Sequence, residues 1–303
     1  MVAAYIEKVR HNMLCVTLVC LKDTINTFSS GFELECESSE RLLSLLDINV
    51  SLPPPPHRSS LSICFHHFLS RLWSTYLDKF FLPDFWTLFG GKILNQSQPR
   101  PNKEELMCGS NVTFTQFVDY TFKVNEPHWN PVSSSCDPCQ FKPQVIGKME
   151  TYSRDARALL DRAGAGWIVD DVDHDTHVRH ELETLIQYNF MVIHNKSPQL
   201  SRNKCISDEG LGARLWKTFQ YNGYISDKVV YQAPSPFTQE SFKQSVFKGL
   251  EESARYGKQE LREQKGRALR SAFKQLAETT MQRIASKYDM DFRMFGYSVQ
   301  TFQ

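Results

Sequence analysis

Short apolar stretches followed by helical runs recur along this chain of 303 residues. Residues 2–6 precede an apolar run predicted as helix over 13–28, "SLSICF" from Ser60 precedes "HHFLSRLWSTYLDKFF", and "QVIGK" precedes a helix predicted from about Ser153 to Leu160. In the second of these units the apolar residues return at helical spacing. Strands that alternate with helices favour an α/β fold with a parallel central sheet flanked by helices. We expect residues 1–303 to form one domain.

The remaining segments are less regular. Residues 29–60 are rich in Ser and Glu and end in four consecutive prolines, which favour an extended solvated segment, so we interpret them as a surface insertion. "FTQFVDYTFKV", residues 114–124, has the pattern of an amphipathic helix, and helical patterns also cover 239–252 and 267–288. Residues 165–235 are polar, and we predict them to be irregular.

The near-equal numbers of basic and acidic side chains argue against one class of function. The chain carries 35 basic and 34 acidic side chains, which gives a formal net charge of +1. This balance argues against a nucleic-acid partner bound over the whole surface. A site for an anion would have to be local.

Cysteines and glycosylation sequons indicate a secretory compartment. Eight scattered cysteines suit a few disulfides in a medium-sized domain. Sequons of the form N-x-[ST] begin at Asn49, Asn95, Asn111 and Asn195. The most apolar early run, residues 13–21, is too short for a bilayer span of about 20 residues. We expect either a soluble protein or a chain that lacks its N-terminal leader.

The stretch "EPHWNPVSSSCDPCQF", residues 126–141, places a histidine ahead of a C-x-x-C pair, Cys136 and Cys139. Three interpretations are open: a zinc site, a redox dithiol, or two members of a disulfide framework. Structural zinc takes four ligands in paired spacings, and only Cys108 lies nearby in sequence. A redox pair sits at a helix N-terminus, whereas this pair is predicted to lie in a loop. The disulfide interpretation is favoured, with partners that the sequence does not reveal.

Three blocks, in this order, resemble one family. "RLWSTYLDKF" (71–80) is similar to R-L-x-S-A-Y-x-D-K-F, and "HW", "CDPC" and "VIGKMET" (128–151) are similar to H-W-x-P, C-x-P-C and G-K-x-E-T/S. "YDMDFRMFGYS" (288–298) is similar to Y-x-x-D-F-x-x-F-G-Y. The family is that of the Golgi carbohydrate sulfotransferases, which includes the chondroitin and dermatan 4-O-sulfotransferases and the enzymes that act on terminal sugars of glycoprotein glycans.

The resemblance implies a P-loop-kinase-like sulfotransferase fold and the transfer of a sulfuryl group from 3′-phosphoadenylyl sulfate (PAPS) to a sugar hydroxyl. It implies a glycan acceptor, of the chondroitin, dermatan or N-glycan type, and no metal or nucleic acid. It also implies the Golgi lumen and a type II membrane protein, whose N-terminal anchor we expect to be missing from this chain.

The resemblance also assigns residues to the donor. The family's P-K-x-x-C-T/S loop for the 5′-phosphosulfate corresponds to "EKVRHN", residues 7–12. This implies Lys8 as the catalytic cation on the bridging oxygen, with Arg10 and Asn12 as further phosphate donors. Glu7 replaces the proline of the motif and is unfavourable near an anion.

The family's R-x-P-F-x-R-L-x-S segment for the 3′-phosphate corresponds to residues 66–74. This implies that His66, Arg71 and Ser74 bind that phosphate. His66 replaces an arginine and Phe68 replaces the proline, and a histidine is only partly charged at neutral pH. We therefore expect weaker binding of the donor than in the family.

His128 is the candidate general base for the acceptor hydroxyl, with Asp119 and Glu150 as weaker alternatives. A structural histidine packed beside Trp129 is the opposing interpretation. The altered donor motifs also leave open a catalytically degenerate member that binds glycans without turnover.

Overall fold

The computed structural model describes residues 15–18, 61–66, 68–136, 145–148, 151–162 and 174–297. Within these residues the strands are β1 (Cys15–Leu18), β2 (Leu61–His66) and β3 (Val145–Lys148). The α-helices are α1 (Phe68–Tyr76), α2 (Gly91–Ser97), α3 (Lys103–Cys108), α4 (Phe114–Thr121), α5 (Val132–Cys136), α6 (Tyr152–Arg162), α7 (His174–Met191), α8 (Gln199–Arg202), α9 (Asp208–Tyr221), α10 (Gln239–Ala254), α11 (Gly257–Phe273), α12 (Glu278–Lys287) and α13 (Asp289–Phe295). π-helical segments cover Leu77–Phe81, Trp86–Gly90 and Val192–Lys196, and a 3₁₀ turn covers Pro83–Phe85.

The chain divides into two compact units. The first comprises Met1–His67 and Val132–His177 and contains the sheet. The second comprises Phe68–Pro131 and Val178–Gln303 and contains most of the described helices. The expectation of one domain over residues 1–303 stays a prediction.

The described sheet has the order β1-β2-β3. β2 and β3 are parallel, with Ile63 opposite Val145, whereas β1 and β2 are antiparallel, with Cys15 opposite Cys64. The described sheet is therefore mixed, and the predicted parallel central sheet is not confirmed. The predicted helix over 13–28 is wrong at Cys15–Leu18. The β-branched Val16 and Thr17 favour a strand there, and a short apolar run does not separate strand from helix by its period.

Two of the predicted strand–helix units are confirmed, β2 followed by α1 and β3 followed by α6. The predicted amphipathic helix at 114–124 is confirmed over Phe114–Thr121 as α4, and a reciprocal capping box begins it. Thr113 Oγ1 accepts from the Gln116 backbone N–H at 3.3 Å, and Gln116 Oε1 accepts from the Thr113 N–H at 2.9 Å. These bonds satisfy two of the donors that a helix start leaves unpaired. The predicted strand at 2–6 and the insertion at 29–60 lie outside the described residues.

The prediction that residues 165–235 are irregular is wrong, because α7, α8 and α9 lie within that range. In α7 the buried Leu182, Ile186 and Phe190 recur every four residues, but charged and polar residues between them obscure the pattern. The helical prediction for 239–252 is confirmed by α10. That for 267–288 is confirmed in part, because a break after Phe273 separates α11 from α12.

Two groups of buried side chains stabilise the second unit. One surrounds Trp129 and draws on α1, α4 and the C-terminal helices; its largest members include Phe80, Phe117, Trp129, Phe273, Tyr288 and Phe292. The other surrounds α9; its largest members include Trp86, Phe190, Trp216, Phe219 and Phe242. Burial of each such side chain stabilises the fold by about 1.5–3 kcal/mol. The first group includes Trp129 and so packs against residues 124–130, the turn that carries His128.

None of the helices in the described part of the chain is long and apolar enough to span a membrane.

Candidate functional site

Residues 124–130 form a compact turn between α4 and α5, which we call the histidine loop because it carries His128. The backbone N–H groups of Trp129 and Asn130 donate to the carbonyl of Glu126, at 3.1 and 2.9 Å. Asn130 Oδ1 in turn accepts from the Glu126 N–H at 3.0 Å. The loop is thus closed by its own hydrogen bonds, and the position of its backbone is well defined.

Trp129 anchors the loop in the core. Its side chain is fully buried, and its ring lies 5.5 Å from Phe89 and 5.7 Å from Phe117, in edge-to-face contacts. Its Nε1 donates to the carbonyl of Val124 at 2.8 Å. Large aromatic contacts of this kind fix orientation as well as adding buried area. His128, the preceding residue, is therefore presented from a rigid base.

Arg71 on α1 binds the backbone of the histidine loop. Its Nε donates to the His128 carbonyl at 3.1 Å, its Nη1 to the Asn130 carbonyl at 2.8 Å, and its Nη2 to the Pro127 carbonyl. Thr75, one turn further along α1, also donates to the His128 carbonyl, at 3.1 Å. Burial lowers the pKa of Arg71, although its neighbours, Glu126 among them, act in the opposite direction. Arg71, which was predicted to bind the 3′-phosphate, thus binds the backbone of the histidine loop in this structure. Its role toward phosphate stays a prediction.

The C-terminal motif block binds the same region. The Tyr288 hydroxyl donates to the Trp129 carbonyl, and Lys287 Nζ donates to the carbonyl of Thr121 at the end of α4. Burial, with the positive charge of Arg71 as a second cause, lowers the pKa of Lys287 to about 8, and burial raises the pKa of Tyr288. The blocks at 71–80, 128–129 and 288–295 are separate in sequence, and the structure joins them around the histidine loop.

The imidazole of His128 is held on one side by Glu126. Nδ1 lies 2.7 Å from Glu126 Oε1, and the backbone N–H of His128 donates to Glu126 Oε2, also at 2.7 Å. The Phe85 ring meets the imidazole edge to face at 5.0 Å. Both the His128 and Glu126 side chains are only 15% exposed. An imidazole held in this way can accept a proton at its other nitrogen, Nε2.

Glu126 was not singled out by the sequence-based prediction of the site. The only signal would have been a carboxylate two residues before the histidine, in a turn that contains proline. The weaker base candidate Asp119 is 44% exposed, and its described partner is Arg283, at 3.5 Å. Glu150 lies outside the described residues.

Of the other residues predicted to bind the donor, only Ser74 has a described side chain. Ser74 lies on α1 with Arg71 and is half-buried. His66 is the last residue of β2 and pairs with Lys148 in the parallel ladder, but its side chain is outside the described part. Lys8, Arg10 and Asn12 lie outside the described residues. Among the donor ligands implied by the resemblance, only Arg71 and Ser74 thus have described side chains, and these two alone do not form a phosphate cradle.

The described disulfide does not involve the C-x-x-C pair. It joins Cys108 to Cys205, whose Cα atoms are 5.4 Å apart. Cys136 ends the short helix α5, so the prediction of loop on both sides of the pair is wrong on the N-terminal side. Cys139 lies outside the described residues, and the choice among zinc, redox and disulfide chemistry for this pair stays open.

Comparison with known proteins places these features in a family. The model of the Sulfotransferase family matches residues 2–222. The chain is 35% identical to human carbohydrate sulfotransferase 9 over 104 residues, which cover 32% of this chain and 24% of the relative. It is 31% identical to zebrafish carbohydrate sulfotransferase 14 over 128 residues, which cover 38% and 34% of the two chains. With mouse carbohydrate sulfotransferase 11 it shares 30% identity over 151 residues, 45% and 43% of the two chains.

The matched regions thus span between about a quarter and two fifths of the length of these curated relatives. No solved structure matched the chain significantly. The family match covers more than half of the sequence and includes β2, α1 and the histidine loop. The chain therefore belongs to the sulfotransferase family.

Proposed function

We propose that this protein transfers a sulfuryl group from PAPS to a sugar hydroxyl, with His128 as the general base. The observation that carries the proposal is that two motif blocks, at 71–80 and 288–298, both bind the loop that presents His128. Membership of the sulfotransferase family supports it. The names of the relatives, all carbohydrate sulfotransferases, support a glycan acceptor.

The donor supplies a sulfuryl group on a phosphate leaving group, and the protein has to position the reactants and balance charge. We assign to His128 Nε2 the removal of the proton from the acceptor hydroxyl. We assign to Lys8 the stabilisation of charge on the bridging oxygen, with Arg10 and Asn12 on the 5′-phosphosulfate. His66 and Ser74 are assigned to the 3′-phosphate.

Arg71 is assigned two roles, and both would use the same guanidinium N–H groups. The resemblance gives it the 3′-phosphate, whereas the structure shows it bonded to three carbonyls of the histidine loop. We assign it first to the loop, because a buried guanidinium with these partners is costly to withdraw from them. Its positive charge still contributes to attraction of an anionic donor.

The proposed location is the Golgi lumen, and the acceptor is a glycosaminoglycan of the chondroitin or dermatan type or a glycoprotein glycan. The asparagines of three sequons, Asn95, Asn111 and Asn195, are exposed, as glycan attachment requires. The Cys108–Cys205 disulfide is typical of an oxidising compartment. Both observations support passage through the secretory pathway.

The proposal is tested by transfer of labelled sulfate from PAPS to chondroitin, dermatan and desulfated N-glycans. We expect transfer to at least one of these acceptors. The variant His180→Gln, in an exposed position on α7, serves as the histidine control and should retain wild-type transfer. Absence of transfer to every acceptor at saturating donor would contradict the enzymatic proposal.

A second candidate function is glycan binding without turnover. Three features favour it: Glu7 in the donor loop, His66 in place of an arginine, and the engagement of Arg71 with the histidine loop. Calorimetry with PAPS and with the acceptor separates the two candidates. A degenerate member should bind the glycan with little or no affinity for PAPS, and His66→Arg should then tighten donor binding.

A further inference from the structure

Both carboxylate oxygens of Glu126 contact the same residue. Oε2 accepts from the backbone N–H of His128 and Oε1 lies against ring Nδ1, each at 2.7 Å. The backbone N–H is a fixed donor, so it sets the orientation of the carboxylate. The second oxygen is thereby directed at the imidazole, and the carboxylate holds the main chain and the ring of His128 together.

This arrangement determines which ring nitrogen carries the proton. An ionised carboxylate only accepts hydrogen bonds, so the hydrogen between Oε1 and the ring belongs to Nδ1. In the neutral imidazole Nε2 then has a free lone pair. The edge of Phe85 at 5.0 Å and the low exposure of both side chains oppose rotation of the ring out of this position.

The charges around the loop give Glu126 a second effect. Arg71 is close enough to interact electrostatically with Glu126, and Lys287 interacts with Arg71. A proton taken up by His128 would place a further positive charge in this region. The negative charge of Glu126, in direct contact with the ring, offsets that repulsion.

We propose that Glu126 is the positioning residue for His128: it fixes the Nδ1–H tautomer, presents Nε2 to the acceptor hydroxyl and stabilises the imidazolium that forms. This inference rests on the proposed function. In the step, the acceptor oxygen bonds to sulfur while the bond between sulfur and the bridging oxygen breaks. The hydroxyl proton moves to Nε2, and the leaving group departs as adenosine 3′,5′-bisphosphate.

The tautomer is measured directly by ¹⁵N NMR of the histidine ring in the full chain, with His128 assigned by the signals lost in His128→Asn. We expect a protonated Nδ1 and an unprotonated Nε2 in the neutral ring of the wild type. In Glu126→Gln only one oxygen remains for two donors, so we expect the ratio of the Nδ1–H to the Nε2–H tautomer to fall at least about tenfold. Glu126→Asp, which keeps the charge, should restore part of the ratio.

The matched control is Glu181→Gln. Glu181 is another half-buried glutamate that accepts a hydrogen bond, from the Tyr224 hydroxyl, but it lies on α7. This variant should leave the His128 signals unchanged. An Nε2–H tautomer in the wild type, or an unchanged ratio in a folded Glu126→Gln, would overturn the positioning role. If the Glu126 variants fail to fold, the tautomer of His128 in the wild type decides the question by itself.

Sulfate transfer gives a separate readout. If the positioning role is correct, kcat of Glu126→Gln should fall by about 10- to 100-fold, while KM for the acceptor changes less than threefold. A folded Glu126→Gln with wild-type kcat would overturn the role even though the sulfotransferase proposal stands. A wild type that shows the expected tautomer and transfers no sulfate would overturn the proposed function, and with it the catalytic use of this pair.

Discussion

At the scale of single residues, Asp84 is a charged side chain buried in the second unit. Its side chain is 1% exposed and lies 2.5 Å from Lys79 Nζ and 2.7 Å from Lys196 Nζ. The Tyr188 hydroxyl donates to it at 2.9 Å. Burial by itself would raise the pKa of Asp84, but the two lysines outweigh burial and lower it. A buried charge is tolerated here because both ammonium groups and the tyrosine hydroxyl compensate it.

We predict that Asp84→Asn lowers the free energy of unfolding by about 3 kcal/mol, because it leaves two lysines facing a buried neutral group. Chemical denaturation at neutral pH measures this loss. Asp119→Asn is the control, since Asp119 and Arg283 are both about half exposed. Such a surface pair should change stability by less than about 1 kcal/mol. Equal losses in the two variants would contradict the assigned importance of Asp84.

The lowered pKa of Asp84 also predicts a pH dependence. The folded state releases this proton more readily than the unfolded chain, so the stabilisation by Asp84 is complete above the ordinary pKa of 3.8 and is lost as pH falls through the folded pKa. The difference in unfolding free energy between wild type and Asp84→Asn should therefore be constant from about pH 7 to 5 and shrink below about pH 4. A difference that grows toward acid pH would contradict the sign of the shift.

At the scale of elements, the π-helical segment at Trp86–Gly90 approaches the end of α3 through two glycines. Gly109 has φ +64°, and a Cβ added to it would lie 2.0 Å from the carbonyl oxygen of Trp86. A Cβ on Gly90 would lie 2.1 Å from the carbonyl oxygen of Gly109. Backbone atoms cannot give way as a flexible side chain can. The two segments can therefore pack this closely only while both positions are glycine.

Gly109→Ala should therefore destabilise the protein more than Gly257→Ala does. Gly257 also has a left-handed backbone, with φ +79°, but a Cβ added to it would have no atom within 4 Å other than those of its chain neighbours and its own helix backbone. We expect about 1–2 kcal/mol for the conformational strain shared by both variants. For Gly109→Ala we expect at least about 2 kcal/mol more, from the clash. Denaturation midpoints that fall by the same amount would show that the close approach is absent.

The sequence predicted helices best where apolar residues return at helical spacing over a long enough run. α1 and α4 were found in this way. β1 was mistaken for a helix because a short apolar run has no distinguishing period. α7 was missed because polar residues surround its buried Leu182 and Ile186.

The site was predictable only in part, for a different reason. His128 and Arg71 were identified by their motifs, but motifs do not show that Arg71 reaches across 57 positions to the loop carbonyls. The contact between Glu126 and His128 depends on the fold of the turn, and nothing in the spacing required it. The sequence thus yields candidate residues for the site, while the partners of each residue required the structure.

At the scale of the molecule, the disulfide is the longest covalent constraint that the described residues show. Cys108 and Cys205 are 97 positions apart and connect the end of α3 to the segment before α9. Closing a loop of this length restricts the unfolded chain strongly. A loop-entropy model gives a stabilisation of about 4–5 kcal/mol, and measured values for disulfides are typically about 2–4.

We predict that the double variant Cys108→Ala with Cys205→Ala lowers the free energy of unfolding by about 3 kcal/mol. Mass spectrometry of unreduced peptides should detect the Cys108–Cys205 link in the wild type. A reductant should lower the wild-type unfolding temperature more than that of the double variant. If the double variant is as stable as the oxidised wild type, the disulfide does not contribute to the stability of this fold.

We propose that His128, presented by the histidine loop, is the general base of a sulfotransfer site. The most direct measurement compares wild type and His128→Asn in initial rates of labelled-sulfate transfer, with PAPS binding measured on the same samples by calorimetry. We predict measurable transfer by the wild type, a loss of at least about 100-fold in His128→Asn, and PAPS affinity that stays within about threefold. A folded His128→Asn that transfers sulfate at the wild-type rate would contradict the claim.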